Sequence, residues 1–172
     1  MTRSPSRAVP VAALAALALA LGACGNDTEQ PAATAGGKAP TVSVKDVDGV
    51  GSVLVDQDGA ALYTADVEAD GTIHCTAGCL SIWVPLAAPA GAPTAADGVG
   101  GKLDTVKRPD GSMQVTHDGK PLYTFAEDTQ PGQVTGDGLK DTFDGQSFTW
   151  HAVTSQGTSS GTSGGGARDY GY

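Results

Sequence analysis

The chain reads as a mostly β protein: an antiparallel hairpin meander forming a small sandwich or partly closed barrel, built from two similar repeat units. Three observations predict this. Asp58-Gly59-x-x-Leu62-Tyr63-Thr64 recurs 60 residues later as Asp118-Gly119-x-x-Leu122-Tyr123-Thr124, five identities in seven positions. Apolar alternation precedes each Asp-Gly (Val53, Val55; Met113, Val115) and resumes after it, the pattern of a hairpin closed by a tight turn. The 25 glycines and 10 prolines are spread widely, and no window of a dozen residues in the domain carries a helical stripe. Asp144-Gly145-x-x-Phe148-Thr149-Trp150 is a fainter echo of the same turn and strand. Two units are too few for a propeller, and the competing architecture is a pair of half-domains packed about a pseudo-twofold axis.

Four regions follow in order. Residues 1–23 form an export signal: Arg3 and Arg7 supply the positive end, Ala8 to Leu21 the apolar run, and small residues precede a cysteine. That run has 14 residues, whereas a helix needs about 20 to cross a hydrocarbon core, so it suits a cleaved signal rather than a permanent span. Leu21-Gly22-Ala23-Cys24 resembles the lipobox of bacterial lipoproteins, which implies acylation of Cys24 and attachment to the membrane. Paired arginines are absent, so the expected route is general export of an unfolded chain. Residues 24–41 then form a lipidated N-terminus and flexible tether of Ala, Gly, Thr and Pro. Residues 42–154 are the β repeat domain, with copies at about 51–95 and 111–153. Residues 155–172, rich in Gly, Ser and Thr, are expected to be disordered, and Tyr170 and Tyr172 at the tip have no explanation in the pattern.

Charge excludes one class of partner. The chain carries 10 Lys plus Arg against 19 Asp plus Glu, and loss of Arg3 and Arg7 with the signal takes the net from −9 to −11. No basic stripe offsets this, so a phosphate backbone is repelled and nucleic acid is not an expected partner. A cell-envelope protein or a small ligand remains open.

In the second copy, Tyr123-x-Phe125-x-x-Asp128 combines with Cys75-x3-Cys79, Trp83-x-Pro85-Leu86 and Pro121-Leu122-Tyr123. Together, from about Val53 to Val153, these resemble the secreted lipoprotein repeat family named for its Tyr-x-aromatic-x-x-Asp motif, whose function is not established. The first copy departs from the motif: Tyr63 is present, but Ala65 stands for the aromatic and Glu68 for the Asp. A site built equally on both copies is therefore not expected. Tyr123 and Phe125 should share one strand face, with Leu122 and Thr124 on the other. Asp128, just past the strand and ahead of Pro131-Gly132, has two readings: a carboxylate accepting backbone N–H groups to fix the turn, or a ligand-binding group.

Cys75 and Cys79 outside the cytoplasm read as a disulfide, leaving Cys24 for the lipid. Closing so short a loop contributes only about 2 kcal/mol in the chain-entropy model, so the bond shapes a loop more than it holds a fold. Trp83 is expected near it. Leu80 stands where a c-type haem needs His, and thiol-exchange enzymes favour Cys-x-x-Cys, so no cofactor is expected. A zinc site on His74, Cys75 and Cys79 lacks a fourth ligand. Asp66-x-Glu68-x-Asp70-Gly71 resembles the opening of a calcium loop, but Ala77 occupies the position that should supply a bidentate Glu. A solvated acidic hairpin tip is the alternative. His117 and His151 have no sequence-local partner for catalysis, and the nucleophile-elbow, zincin and phosphate-loop motifs are absent. The expected function is thus non-enzymatic, a tethered β domain that binds or scaffolds; the alternative is a redox or metal-handling protein using Cys75, Cys79 and the acidic residues.

Overall fold

A computed structural model describes residues 39–158 and 169–171. The export signal, Cys24 and nearly all of the tether lie outside the described residues. The first repeat contributes β1 (Ser43–Val47), β2 (Gly51–Val55), β3 (Tyr63–Ala65) and β4 (Trp83–Pro85), with 3-10 turns at Asp66–Glu68 and Ala77–Ser81. The second contributes β5 (Leu103–Lys107), β6 (Met113–His117), β7 (Lys120–Pro121), β8 (Tyr123–Phe125), β9 (Lys140–Phe143) and β10 (Gln146–Thr154). Two short strands follow, β11 (Gly157–Thr158) and β12 (Asp169–Gly171). The protein is mostly β, as expected, and its repeat strands pair antiparallel, but the sheet does not close into a barrel.

The three Asp-Gly turns form as their residues dictate. Asp118 and Gly119, with φ of 48° and 80°, make the two-residue turn whose twist suits a hairpin, and Asp144 and Gly145, with 51° and 80°, repeat it. The first copy differs. Asp56 N–H bonds the Ala60 carbonyl at 3.0 Å, and Gly59 alone of the tip residues has positive φ, 81°, so this loop holds one residue more. The structural spacing between copies is therefore 61 residues before the turn and 60 after it. Leu54, not Val55, is the counterpart of Val115: Leu62 N–H reaches the Leu54 carbonyl at 2.9 Å, and Leu122 N–H the Val115 carbonyl at 3.0 Å.

Consecutive hairpins do not simply follow one another across the sheet. The order is β1-β2-β10-β3-β8-β4, and Leu86–Ala88 carry the chain from β4 onto β6, which pairs with β5. Each repeat thus lends its last strand to the other: β10 pairs β3, and β4 pairs β8. Tyr63 and Tyr123 face each other at the centre, Trp150 sits opposite Ala65, and Trp83 opposite Phe125. Val153 N–H bonds the Leu62 carbonyl at 2.8 Å, mirrored by Leu86 N–H on the Leu122 carbonyl at 2.9 Å. This is the pseudo-twofold pair of half-domains, interlocked rather than stacked side by side.

Strand alternation fills both faces. Tyr63, Ala65, Tyr123, Phe125, Trp83 and Trp150 join one core with the cysteines; Leu54, Leu62, Val115, Leu122 and Val153 join another with Val42. The expectation for Tyr123-Phe125 against Leu122 holds. The tail departs from its expected disorder at five residues: Gly157–Thr158 pair with β10, and Asp169–Gly171 pair with β9. Edge pairing needs only backbone groups, so a tail without apolar pattern can still supply a strand.

Candidate functional site

The family-type motif closes on its neighbour rather than on itself. Tyr63 Oη donates to Asp128 Oδ2 at 2.5 Å, while Asp128 Oδ1 accepts from Thr135 N at 3.0 Å and Thr135 Oγ1 at 2.5 Å. In the other half, Glu68 Oε1 accepts from the backbone N–H groups of His74 at 2.6 Å and Cys75 at 2.7 Å, and its carboxylate faces the Tyr123 hydroxyl. Each copy's acid therefore meets the other copy's tyrosine and a backbone N–H seven residues downstream. Asp128 does not fix its own turn. That loop is held by backbone bonds and by Gln133, whose Oε1 accepts from Gln130 N at 2.8 Å. Burial first, and then the charge of Asp128, pushes the Tyr63 hydroxyl far above the usual tyrosine range, so it stays a donor.

The halves diverge around Glu68. Arg108, only 4 % exposed, reaches in from the end of β5, at the position that Val47 occupies in the first repeat. Its guanidinium donates to Gln114 Oε1, to the Cys75 carbonyl at 2.7 Å and to Tyr123 Oη at 3.4 Å. Gln114, wholly buried, passes a bond to the Leu122 carbonyl at 2.7 Å. Tyr123 is thus held between Arg108 and Glu68. Burial first, then the Glu68 carboxylate, raises its ionisation well above normal, and Arg108 offsets part of this. Glu68 Oε2 is buried and makes no hydrogen bond of regular geometry. Sequence reasoning missed Arg108 and Gln114, because a 60-residue register aligns Arg108 with Asp48 and conceals the Val47 equivalence.

Between the two polar ends runs an aromatic stack. Phe125 lies on Trp83 with centroids 4.6 Å apart, Trp83 on Trp150 at 3.9 Å, and Trp150 on Phe148 at 5.6 Å. Tyr63 meets Trp83 edge-on at 5.4 Å, and Tyr123 meets Trp150 likewise at 5.2 Å, again as pseudo-twofold mates. Trp83 Nε1 donates to Asp141 Oδ2 at 2.6 Å, a buried polar handle that fixes the ring. Gly136 lies so close that a Cβ there would stand 2.8 Å from the Trp83 ring.

Cys75 and Cys79 are bonded, with Cα atoms 5.4 Å apart, and Trp83 shares their core as expected. Both are completely buried, so neither sulfur is presented for exchange. In the second copy, Thr135 and Leu139 hold the equivalent positions, 60 residues on.

The calcium candidates do not converge. The 3-10 turn at Asp66–Glu68 sends Glu68 into the core, Asp66 Oδ1 pairs with His151 Nε2 at 3.0 Å, and Asp70 Oδ1 accepts from Thr72 N at 2.8 Å. That Thr72 backbone bond, followed by its side chain, lowers the Asp70 carboxyl below its usual range. Among the described residues, no three His, Cys, Asp or Glu side chains are grouped to hold a metal ion. This covers His74 with Cys75 and Cys79 as well. His117 Nε2 bonds the Gly100 carbonyl at 2.7 Å, bracing the chain before β5.

One surface feature breaks the symmetry. A shallow groove of about 360 Å3 lies between Gly71–Ile73 and Val106–Pro109, beside the Arg108 cluster. Across the pseudo-twofold axis, Lys45 occupies the position of Val106 and crosses the matching loop: a Cβ at Gly132 would meet its Cε at 2.8 Å. The groove is open because Val106 is too short to do the same.

The exchanged Tyr–acid pairs predict a measurable coupling. Asp128→Asn and Tyr63→Phe each weaken a charge-assisted bond worth about 1.5–3 kcal/mol, and urea denaturation of both singles and the double should return less loss than their sum. Strict additivity would show that the two residues do not act together.

No curated protein and no solved structure matches the chain. A family model does match, and its limits coincide with one structural repeat, from within β5 to the end of β10. Residues 104–154 match the model of a family described as a secreted repeat of unknown function, in agreement with the family resemblance read from the sequence.

Proposed function

We propose that the chain is a lipoprotein of the cell envelope: Cys24 carries the lipid, residues 25–41 form the tether, and the interlocked repeats are a binding or scaffolding domain rather than an enzyme. The observation that carries this reading is how the motif side chains are spent. Tyr63, Glu68, Trp83, Tyr123, Phe125 and Asp128 bond or stack with one another's strands, and so serve to lock two repeats together. The secreted character of the matching family supports the export half of the reading. The anchor half rests on Leu21-Gly22-Ala23-Cys24. Among the described residues no helix is long and apolar enough to cross a membrane. The groove beside Arg108 is the natural place for a small ligand or the edge of an envelope protein.

Fractionation tests the anchor. Cys24→Ala should move the exported protein from the membrane pellet to the soluble fraction and remove acylation by mass, since several acyl chains supply the binding. A variant that still pellets after carbonate washing would end the reading.

A further inference from the structure

The C-terminal strand gives the tail a role that its composition does not advertise. β9 bonds β10 along one side, from Gln146↔Phe143 to Thr149↔Lys140. Along its other side lies β12, parallel, with Asp169, Tyr170 and Gly171 in register with Lys140, Asp141 and Thr142. β12 thus pairs along the strand edge of β9, the backbone template that extended chains add to.

The sequence of the tail agrees with this seating. Ser155 to Ala167 contain no charged and no aromatic residue, whereas Arg168, Asp169, Tyr170 and Tyr172 crowd the last five positions. The register puts Asp169 opposite Lys140, the one basic residue of β9. Ten residues separate Thr158 from Asp169, so donor and acceptor are covalently joined over a short distance. Such tethering gives an effective concentration on the order of millimolar, at which a three-residue pairing is filled although a free peptide would bind weakly.

We propose that the side of β9 facing away from β10 is a strand-acceptor site for an extended peptide, and that the chain's own Asp169–Gly171 is its resident, displaceable occupant. When it leaves, β9 takes an equivalent segment in its place.

The test uses the full chain with Tyr170→Pro, which removes a backbone donor and disfavours β pairing at the tip alone. Circular dichroism confirms that the β signal is kept, and amide exchange at Lys140–Phe143 should be faster than in the native chain. A synthetic peptide of residues 167–172 should then shift the amide signals of Lys140–Phe143 in the variant, saturably, and bind roughly tenfold or more tightly than it binds the native chain, where the resident tail competes. The same peptide with Y170P should shift nothing. Unchanged exchange at β9, shifts that fall elsewhere, or equal affinity for both chains would overturn the proposal. A concentration-dependent dimer of the native chain that the peptide dissolves would overturn the intrachain occupant.

Discussion

Trp83→Ala is expected to unfold the domain or bring it to the edge of unfolding. The side chain is fully buried, stacks on Phe125 and Trp150, meets Tyr63 edge-on and donates to Asp141. Large-to-small substitution of a buried aromatic costs about 3–5 kcal/mol, against a total stability of about 5–15 kcal/mol for a domain of this kind. The ring also joins repeats: Trp83 belongs to the first copy, while Phe125 and Trp150 belong to the second. Its loss therefore removes contacts between halves, and Asp141 is left with one bond fewer in a buried position. Val84, the next residue, is 45 % exposed, and Val84→Ala should change stability by less than about 0.5 kcal/mol. Paired urea transitions measure both. A loss below about 1 kcal/mol at Trp83 would mean that the stack does not hold the repeats together.

What could be read from the sequence was local. Asp118-Gly119 and Asp144-Gly145 announce tight turns because positive φ at both positions suits few other pairs, and Tyr123-x-Phe125 announces a shared face because strands alternate. Partnership between strands was not legible. Nothing in the spacing of Tyr123 and Asp128 says that the acid belongs to Tyr63, because spacing orders residues along a strand and not strands across a sheet. One residue in the Asp56–Ala60 loop was enough to shift the true register before the turn to 61 and hide what Arg108 replaces. Asp66, Glu68 and Asp70 misled for a different reason. Alternate acids look solvated or metal-binding, but a 3-10 turn abolishes the alternation and buries the middle one. The strand at Asp169–Gly171 showed in the sequence only as tyrosines without a role at Tyr170 and Tyr172, since its pairing is made by backbone groups.

The second large effect is expected at Arg108. Its guanidinium is one wall of a buried polar cluster whose other wall is Glu68, with Tyr123 between them and Gln114 beneath. Arg108→Met keeps the length of the side chain and removes its charge. The carboxylate of Glu68 then loses the nearby buried cation, and Gln114 Oε1 and the Cys75 carbonyl each lose a donor. Breaking one side of such a cluster costs about 3–5 kcal/mol, because the remaining polar groups stay buried without compensation. The pseudo-twofold mate predicts the remedy. Val47 fills the equivalent place in the first repeat, so this fold accepts an apolar residue there when the facing acid is satisfied by other means. Arg108→Met combined with Glu68→Gln should therefore recover much of the loss, since the amide can still accept from His74 and Cys75 N–H while carrying no charge. Thermal and urea unfolding of the two singles and the double decide it. Full additivity of the two losses would show that Arg108 holds the loop at Cys75 and not the charge of Glu68.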